Sequence, residues 1–422
     1  MTVSTPTQAK KRSPVLSSDW EWDTLGNLFD FRNGMNADKA SYGFGVKFIN
    51  VMEVIYNESI VSEIVQGTVS ATPNQLRDFE VKRGDVLFNR TSEVTSEVGL
   101  TAVYQDDAPV VFGGFVIRGR PKDQRLNDDF NRYCFRISEI RKQIIQGGQG
   151  VVRSNIGQAE LEKIKIRFPS KPEQQSIALV LMTIDGVLSK TQALIAQKEL
   201  RKKGLMQRLL TGKKRLPGYS VEWKRVNMNT LFQRITRKND QGCQKVVTIS
   251  GRLGFVSQTD YFNKVIASDI LDNYFLLRRG EFSYNKSYSN GYPWGAIKRL
   301  KHENEAVVTT LYICFGIHPK AKVSASFMEN FFESGRLNQG LMRIAHEGGR
   351  AHGLLNVVPD DFFNLDIRVP AFEEQEAIAG VLDVAEKEIQ LLRTKAARLR
   401  DQKKGLMQVL LTGKKRLKAF RG

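Results

Sequence analysis

Apolar residues recur at alternating steps of three and four positions in two long segments of the chain. In residues 173–210 polar residues fill three places of the stripe, and its apolar members are Ile177, Leu181, Ile184, Leu188, Ile195, Leu205 and Leu209. In the second segment Lys403 interrupts the series Ile378, Leu382, Ala385, Ile389, Leu392, Ala396, Leu399, Leu406 and Leu410. Such spacing is the a/d seam of a coiled coil. The pattern predicts two long helices that pair with each other; the alternative is that each packs on its own domain.

The two helical segments also repeat each other. Residues 202–216 and 403–417 differ only at Arg208 and Val409, and the same shift of 201 residues aligns motifs over about fifty residues. Two stripes that are nearly identical favour pairing between them, because independent cores would not require the same face.

Glycines mark the end and the interior of each predicted helix. Thr-Gly at positions 211–212 and 412–413 is typical of a helix end. Gly204 and Gly405 fall inside the helices, at a cost of about 1 kcal/mol each relative to alanine. They indicate a bend or the close approach of a partner backbone.

Between the repeated segments the two halves resemble each other only in places. Trp22 aligns with Trp223 through the LGNLF and MNTLF that follow them. Further matches pair residues 82–90 with 278–286 and residues 147–156 with 348–357. The chain therefore consists of two half-chains, each a divergent block followed by a near-identical block.

The divergent blocks have a mixed pattern. Short β-branched and aromatic runs predict strands at residues 47–55, 85–89, 108–117, 246–249 and 307–317. Helices are predicted at 130–146 and 326–345. The predicted fold class is α+β: two similar α/β domains and two long helices that pair in a coiled coil, with internal pseudo-twofold symmetry. The predicted bounds are 1–18 for a flexible N-terminus, 19–168 and 220–369 for the domains, and 169–219 and 370–422 for the helices.

Charge points to the kind of partner. The chain of 422 residues has 64 Lys and Arg against 45 Asp and Glu, a net charge of +19. This balance predicts a polyanionic partner, with nucleic acid before an anionic membrane surface. Residues 197–215 carry eight Lys or Arg and residues 393–421 carry eleven. These runs form either a solvated helix face or a surface for phosphates or a partner subunit.

Other features restrict the compartment and the chemistry. Cys134, Cys243 and Cys314 stand far apart, and the four histidines form no metal-ligand spacing. The longest uncharged apolar stretch, 306–317, is too short to span a bilayer, and the N-terminus has no signal-peptide pattern. We expect a reducing, aqueous compartment, with no membrane partner and no metal.

No catalytic motif is recognisable. The sequence has no GxGxxG, no GxSxG, no amino-methyltransferase tetrapeptide, and no P-loop, since lysine follows the Gly-Lys of TGKKR. The chain is thus predicted to be a binding or scaffold subunit. A stand-alone enzyme with an unfamiliar site and a coiled-coil scaffold without DNA are the alternatives.

Polar loops at matching places in both blocks are the candidate DNA contacts. Such side chains leaving strands can read base edges and hold phosphates. The candidates of the first block are Asn89, Arg90, Thr91, Ser92, Arg153, Ser154 and Asn155. Those of the second block are Asn285, Lys286, Ser287, Tyr288, Arg350 and His352. For any single residue an ordinary polar turn is the favoured interpretation. Loops that match in position in both blocks but differ in chemistry favour DNA contacts for the set as a whole.

These motifs together carry a family resemblance. They are a Trp near the start of each block, an RGD or RGE segment leading into a strand, and an Asn-containing turn before I-x-I or L-x-I. P…EQ…IA and GLMQ-x-LLTGKKRL follow. They stand at residues 164–166, Pro169, Glu173-Gln174, Ile177-Ala178 and 204–216, and again at 365–367, Pro370, Glu374-Gln375, Ile378-Ala379 and 405–417. After its first eighteen residues the chain resembles the specificity subunit of a Type I restriction–modification system. One departure is PWGAIKRL in the second block, where the first has GLTAVYQ.

The resemblance implies a non-catalytic subunit of a cytoplasmic prokaryotic enzyme. Each divergent block would be a target-recognition domain for one half of a bipartite double-stranded DNA site. Two methyltransferase subunits would methylate adenine N6, and two restriction subunits would translocate and cleave DNA. S-adenosylmethionine, ATP and magnesium would belong to those partners, and this chain would hold no cofactor. A specificity subunit of a Type IIG/IIB-like enzyme is the alternative.

The resemblance also implies that the long helices are spacers that pair as an antiparallel coiled coil, and that partners dock on them. The expected docking and spacer residues are Lys202, Lys203, Gly204, Leu205 and Met206 with their repeats Lys403, Lys404, Gly405, Leu406 and Met407.

Overall fold

The chain forms two compact units that share its two long helices. The structure is a computed structural model that describes residues 19–148, 150, 153–258, 271–347 and 353–420. Unit 1 comprises Met1–Thr191 with Lys395–Gly422, and unit 2 comprises Gln192–Thr394. The boundaries fall inside the helices Lys171–Leu209 and Phe372–Leu410, so each unit holds one divergent block and a part of each helix. The α+β fold class with two long helices is confirmed.

Unit 1 is built on two mixed sheets. The five-stranded sheet has the order Phe29–Asn33, Val116–Pro121, Val86–Asn89, Thr101–Tyr104 and Ser59–Ile60. The four-stranded sheet has the order Thr68–Val69, Tyr42–Ile49, Val110–Phe112 and Glu80–Val81. Two further antiparallel pairs join Glu21–Thr24 to Lys165–Phe168 and Thr91–Ser92 to Ser154–Asn155.

Short helices cover the sheets of unit 1. The α-helices are Leu25–Leu28, Val51–Tyr56, Pro73–Asp78, Asp128–Cys134, Ser138–Gly147 and Gln158–Glu162, and the 3-10 turns are Lys39–Ser41, Ser62–Ile64, Thr95–Glu97 and Lys418–Phe420. The main core contains Phe88, Phe130 and Phe135 from the block and Ile177 and Leu181 from the long helix. The long helix is therefore part of the hydrophobic core of the unit.

Unit 2 has the same kind of construction. Its four-stranded sheet has the order Phe232–Ile235, Ile313–Ile317, Phe282–Asn285 and Ala296–Arg299. Antiparallel pairs join Lys224–Asn227 to Asp366–Val369, Val247–Ser250 to Gly254–Ser257, Phe275–Arg278 to Glu305–Val308, and His346–Glu347 to Leu355–Asn356. The helices are Met228–Leu231, Ala325–Glu333, Asn338–Ile344 and Pro359–Phe363, with a 3-10 turn at Leu271–Asn273.

The structure corrects several predicted elements. The predicted strand 47–55 ends at Ile49, and Val51–Tyr56 is a helix. The reason is a capping box, in which Asn50 accepts a hydrogen bond from a helix amide and its own amide donates to Glu53 Oε2 at 3.0 Å. Local capping therefore outweighs the strand propensity of Val and Ile.

Predicted long elements divide at the same places in both units. The predicted strands 108–117 and 307–317 are each two strands, with turns at residues 113–115 and 309–312. The predicted helices 130–146 and 326–345 are likewise two helices each. An apolar run shows that a segment is buried, but it does not show where the chain turns.

The long helices pair antiparallel within each unit, as predicted. In unit 1, Lys403 Nζ lies 2.7 Å from Asp185 Oδ1 and 2.6 Å from Glu58 Oε2. In unit 2, Lys202 Nζ lies 2.9 Å from Glu386 Oε2. The lysines that interrupt the apolar stripes therefore face carboxylates on the opposite helix. At these positions an ion pair between the helices replaces an apolar contact, and the heptad spacing continues.

A second ion pair, present once in each unit, connects the repeated Glu-Gln motif with the repeated Lys-Lys-Arg motif. The buried Glu173 of unit 1 accepts hydrogen bonds from Arg416 Nε and Nη2, at 3.0 and 2.6 Å. Glu374 of unit 2 accepts two from Arg215, both at 2.6 Å. The EQ motif at one helix start is thus bound by the KKR motif at the opposite helix end, and these pairs raise the pKa of both arginines.

The alignment of the tryptophans is wrong by two residues. Trp20 is buried in the core of unit 1 and Trp223 in the core of unit 2, whereas Trp22 is exposed. Each buried tryptophan stands five residues before the first residue of a short helix, Leu25 or Met228. Trp20 is therefore the counterpart of Trp223, because this short segment follows a shift of 203 residues rather than 201.

One described helix has the length and composition of a bilayer span. In Lys171–Leu209 an 18-residue stretch has a mean hydropathy of 1.4, which corrects the expectation that residues 306–317 are the longest apolar stretch to consider. Of that stretch 22% is buried. In this helix Asp185 binds Lys403 and the hydroxyl of Tyr133, and apolar seam residues pack in the core of unit 1. Part of the apolar character of this helix therefore comes from residues of the coiled-coil seam.

Candidate nucleic-acid interface

The two polar loops predicted for the first block meet in unit 1. Thr91–Ser92 pairs with Ser154–Asn155, with Ser92 opposite Ser154 and Thr91 opposite Asn155. The Thr91 hydroxyl donates to Asn155 Oδ1 at 2.5 Å, and the amide of Ile156 donates to Arg90 O at 3.0 Å. Residues more than sixty positions apart thus form one small polar ladder, which the sequence could not place.

Asn89, which precedes this ladder in the chain, has a structural role. It is fully buried, its Nδ2 donates to Glu97 O at 2.9 Å, and its carbonyl accepts from Gly99 at 2.7 Å. Its side chain holds the loop 89–99 in shape. Ser92 has a similar task, since its hydroxyl donates to Glu97 Oε2 at 2.7 Å.

The two arginines that flank the ladder, Arg90 and Arg153, are partly accessible to a ligand. Arg153 is 59% exposed and its guanidinium lies 2.8 Å from the carboxylate of Glu93, which is 70% exposed. An exposed pair of this kind contributes little to stability, so a phosphate could replace Glu93 at low cost. Arg90 is half-buried; its Nη1 donates to Gly114 O at 3.2 Å and its amide to Phe115 O at 2.9 Å.

In unit 2 the described loop residues form the corresponding junction. The amide of Tyr288 donates to Gly353 O at 2.8 Å, and the amide of Leu355 donates to Lys286 O at 3.1 Å. Ser287 pairs with Leu354, and its amide donates a hydrogen bond to Asn285 Oδ1 at 3.0 Å. Arg350 and His352 lie outside the described residues, so their prediction stands as made.

Burial affects the lysine of this junction. Desolvation, with a further contribution from the positive charge of Arg234, lowers the pKa of Lys286. A lysine that is partly desolvated gains more from an arriving phosphate than a fully hydrated one. Tyr288 beside it is 63% exposed and offers a ring and a hydroxyl to a ligand.

Strand register makes the two junctions equivalent. In unit 1, Asn89 pairs with Val116, so the next residues along the two strands are Arg90 and Phe115. In unit 2, Tyr284 pairs with Ile313, which places Lys286 at the level of Leu311. In unit 1 a basic residue thus stands beside a large apolar residue, and in unit 2 the register continued two residues beyond its last pair brings Lys286 level with Leu311. Phe115 and Leu311 are apolar, so the pattern of polar loops in the sequence did not point to them.

The predicted docking residues fall into two groups. Lys202 and Lys403 lie in the helix seams and bind carboxylates, whereas Lys203 and Lys404 are exposed. The apolar members contact the cores: Met206 is buried, and Leu205, Leu406 and Met407 are half-buried against core residues.

The two helical glycines lie in open space. Both helices continue through Gly204 and Gly405 without a break, so the expected bend does not interrupt them. A Cβ added at either glycine meets nothing within 4 Å. No neighbour in the part of the chain that the structure describes therefore requires glycine here, and the approach of a partner backbone stays a prediction.

Among the described residues, no group of three or more His, Cys, Asp or Glu side chains is arranged to hold a metal ion. The three cysteines are free thiols, and burial raises the pKa of Cys134 and Cys314. The candidate site is thus an arrangement of hydrogen-bond donors, cations and exposed rings, suited to binding.

Comparison with known proteins agrees with this architecture. Residues 17–199 match the model of the family described as the Type I restriction modification DNA specificity domain. A protein of Methanocaldococcus jannaschii named as the type I restriction enzyme MjaX specificity subunit is 23% identical over 421 residues, covering 96% of this chain and 95% of the relative. The MjaVIII specificity subunit of the same organism is 21% identical over 330 residues, covering 73% and 75%.

A solved structure shares the fold. The crystal structure of the Type-I restriction-modification system S subunit from M. genitalium matches with a TM-score of 0.55 at 13% identity, covering 95% of this chain and 97% of that one. The predicted resemblance to Type I specificity subunits is confirmed, and the type I names of the relatives do not favour the Type IIG/IIB-like alternative.

Proposed function

We propose that this chain is the non-catalytic DNA-specificity subunit of a Type I restriction–modification enzyme, in which each unit reads one half of a bipartite duplex site. One observation carries the proposal. The ladder that joins Thr91 to Asn155 in unit 1 recurs in unit 2, where it joins Ser287 to Leu354. One framework built twice with different side chains is what two unlike half-sites require.

Charge and side-chain chemistry support DNA as the ligand. A net charge of +19 favours association with a polyanion, and each phosphate that is neutralised adds about 0.9 to the salt dependence of binding. Arg90, Arg153 and Lys286 supply the cations, while Asn155 and Tyr288 supply groups that can contact base edges. The two kinds of contact together give affinity and sequence preference.

The partners are proposed from the family. Two methyltransferase subunits dock on the long helices, where Lys203, Gly204, Lys404 and Gly405 are accessible, and two restriction subunits complete the enzyme. S-adenosylmethionine, ATP and magnesium are bound by those subunits, and this chain contributes no cofactor. The complex works on DNA in the cytoplasm of a prokaryotic cell, and the methylated atom is adenine N6.

Selection from a random duplex library tests the proposal. The chain, assembled with its methyltransferase partner, is expected to enrich two short motifs separated by a fixed number of unspecified base pairs. Binding should weaken steeply between 50 and 200 mM salt. Enrichment of a single continuous motif, or of no motif, would contradict the function, and partner-independent cleavage of DNA with added magnesium would favour a stand-alone enzyme instead.

A further inference from the structure

Two exposed apolar residues occupy the same place in the two units. Phe115 ends the turn between Val110–Phe112 and Val116–Pro121, and Leu311 lies in the turn between Glu305–Val308 and Ile313–Ile317. They are 56% and 55% exposed. Single exposed apolar side chains are common on protein surfaces, but recurrence at one register position in two divergent blocks is a separate observation.

Both turns are held rigidly by their own units. In unit 1, Met35 accepts from the amide of Gly114 at 2.9 Å and donates to Phe112 O at 3.0 Å, and a Cβ on Gly34 would lie 2.0 Å from Gly113 O. The backbone around Phe115 is thus packed so closely that a side chain at Gly34 is excluded. The exposed ring is therefore presented on a fixed support.

The turn of unit 2 is also held in a fixed conformation, by other residues. Thr309 accepts from the amides of Leu311 and Tyr312, at 3.3 Å through its hydroxyl and 3.2 Å through its carbonyl. The hydroxyls of Tyr312 and Thr248 lie 3.0 Å apart. Tyr312 packs into the unit and fixes the turn, whereas the side chain of the preceding residue, Leu311, projects into solvent.

A cation matches each projecting residue in strand register. Arg90 donates its amide to Phe115 O at 2.9 Å, and the register of Tyr284 with Ile313, continued by two residues, brings Lys286 level with Leu311. An apolar side chain next to a cation matches duplex DNA, in which an anionic backbone borders the apolar faces of stacked bases. Apolar residues inserted between base steps partly unstack them, at a cost of a few kcal/mol per step.

We propose that Phe115 and Leu311 are apolar wedges, each inserted between base pairs of one half-site while Arg90 or Lys286 holds the adjacent phosphate. This inference rests on the proposed function and adds a step to it. A base whose neighbour is partly unstacked is easier to extrude, and extrusion is required before chemistry on a base. The specificity chain would thus prepare each half-site for the methyltransferase.

The test uses the complete complex and the site selected by it, with 2-aminopurine placed in turn at each position of both half-sites. This base fluoresces more strongly when it is unstacked. The wild-type complex is expected to raise the fluorescence at one step in each half-site. Phe115→Ala should remove the signal of one half only, Leu311→Ala that of the other, and each should weaken binding about ten-fold.

Matched variants keep the test decisive. Met52→Ala and Leu253→Ala remove exposed apolar side chains of the same units elsewhere and should change neither signal. Phe115→Trp should retain the signal, and Phe115→Gln provides a second replacement, with a polar side chain, if the alanine variant loses its fold, as judged by hydrogen exchange. Unchanged fluorescence in both alanine variants, with specific binding intact, would overturn the wedges alone. Absence of sequence-specific binding by the wild type would instead count against the proposed function.

Discussion

Arg416, near the end of the chain, binds the buried carboxylate of Glu173 through Nε and Nη2, at 3.0 and 2.6 Å. Arg215 and Glu374 form the same pair in unit 2. The strongest sequence repeat thus has an intramolecular role, which is to fix the end of one long helix on the start of the other within each unit. Part of the basic charge at the helix ends is consequently already neutralised by the protein itself.

A double-mutant cycle measures this ion pair. Arg416→Met leaves a buried carboxylate without its partner, whereas Glu173→Gln removes that charge as well. We expect a coupling free energy of about 1–3 kcal/mol in urea unfolding of the free chain. The exposed pair Arg153 and Glu93 serves as the control and should show a coupling of about 0–1 kcal/mol. Equal coupling in the two cycles would contradict a structural role for the repeated motif.

The helical glycines separate stability from docking. Because a Cβ at Gly204 or Gly405 meets nothing within 4 Å, alanine at either position should stabilise the free chain by about 1 kcal/mol. If a partner backbone approaches there, the same variants should bind the methyltransferase subunit more weakly. Thermal unfolding and a titration with the partner check the two effects. Partner affinity that stays the same or rises would remove the glycines from the docking surface.

The stability of unit 1 should depend on acid through Asp106. Hydrogen bonds from the hydroxyl and then the amide of Ser62 are the main causes that lower the pKa of Asp106 from 3.8 to about 2. Since the unfolded chain binds the proton more readily, this contribution is present above pH 4 and is lost as the pH falls towards 2. Asp106→Asn should lower stability at neutral pH and flatten the loss between pH 4 and 2.

Urea unfolding at a series of pH values, read by hydrogen exchange in the strands of unit 1, measures this dependence. Glu139→Gln changes an exposed carboxylate of the same unit and should leave the acid slope as it is. A slope that Asp106→Asn does not change would show that other carboxylates control the acid response.

Arg90 should affect only one half-site. If its guanidinium contacts a base, Arg90→Ala is expected to weaken binding to sites with the correct first half by about 1–3 kcal/mol. Binding to sites that are altered only in the second half should show the same loss. Competition titrations with these duplexes check the expectation. Uniform weakening on all DNA would identify Arg90 as a phosphate contact instead.

Local patterns in the sequence predicted the helices well and the loops less well. The heptad spacing of Ile177, Leu181 and their repeats defines the long helices, because a periodic stripe records what a helix must bury. The ladder between Thr91 and Asn155 joins residues distant in sequence, which periodicity does not report. Burial of Asn89 and exposure of Phe115 likewise depend on tertiary packing.

Two short-range signals were present in the sequence but were outweighed by longer patterns. The alignment chose Trp22 as the counterpart of Trp223, but a two-residue difference before Leu25 makes Trp20 the equivalent buried residue. The helix at Val51–Tyr56 follows from the cap formed by Asn50 and Glu53, a signal that was present in the sequence and outweighed by strand propensity. In both cases a short-range detail determined the outcome.

The methylated bases in the genome of cells that carry this chain with its methyltransferase partner test the central claim most directly. We expect adenine methylation within one motif made of two defined parts and an unspecified gap. Exchange of the loop residues of unit 1 should change one part only. A continuous motif, or a change in both parts after altering unit 1 alone, would contradict a chain that reads two half-sites with two separate units.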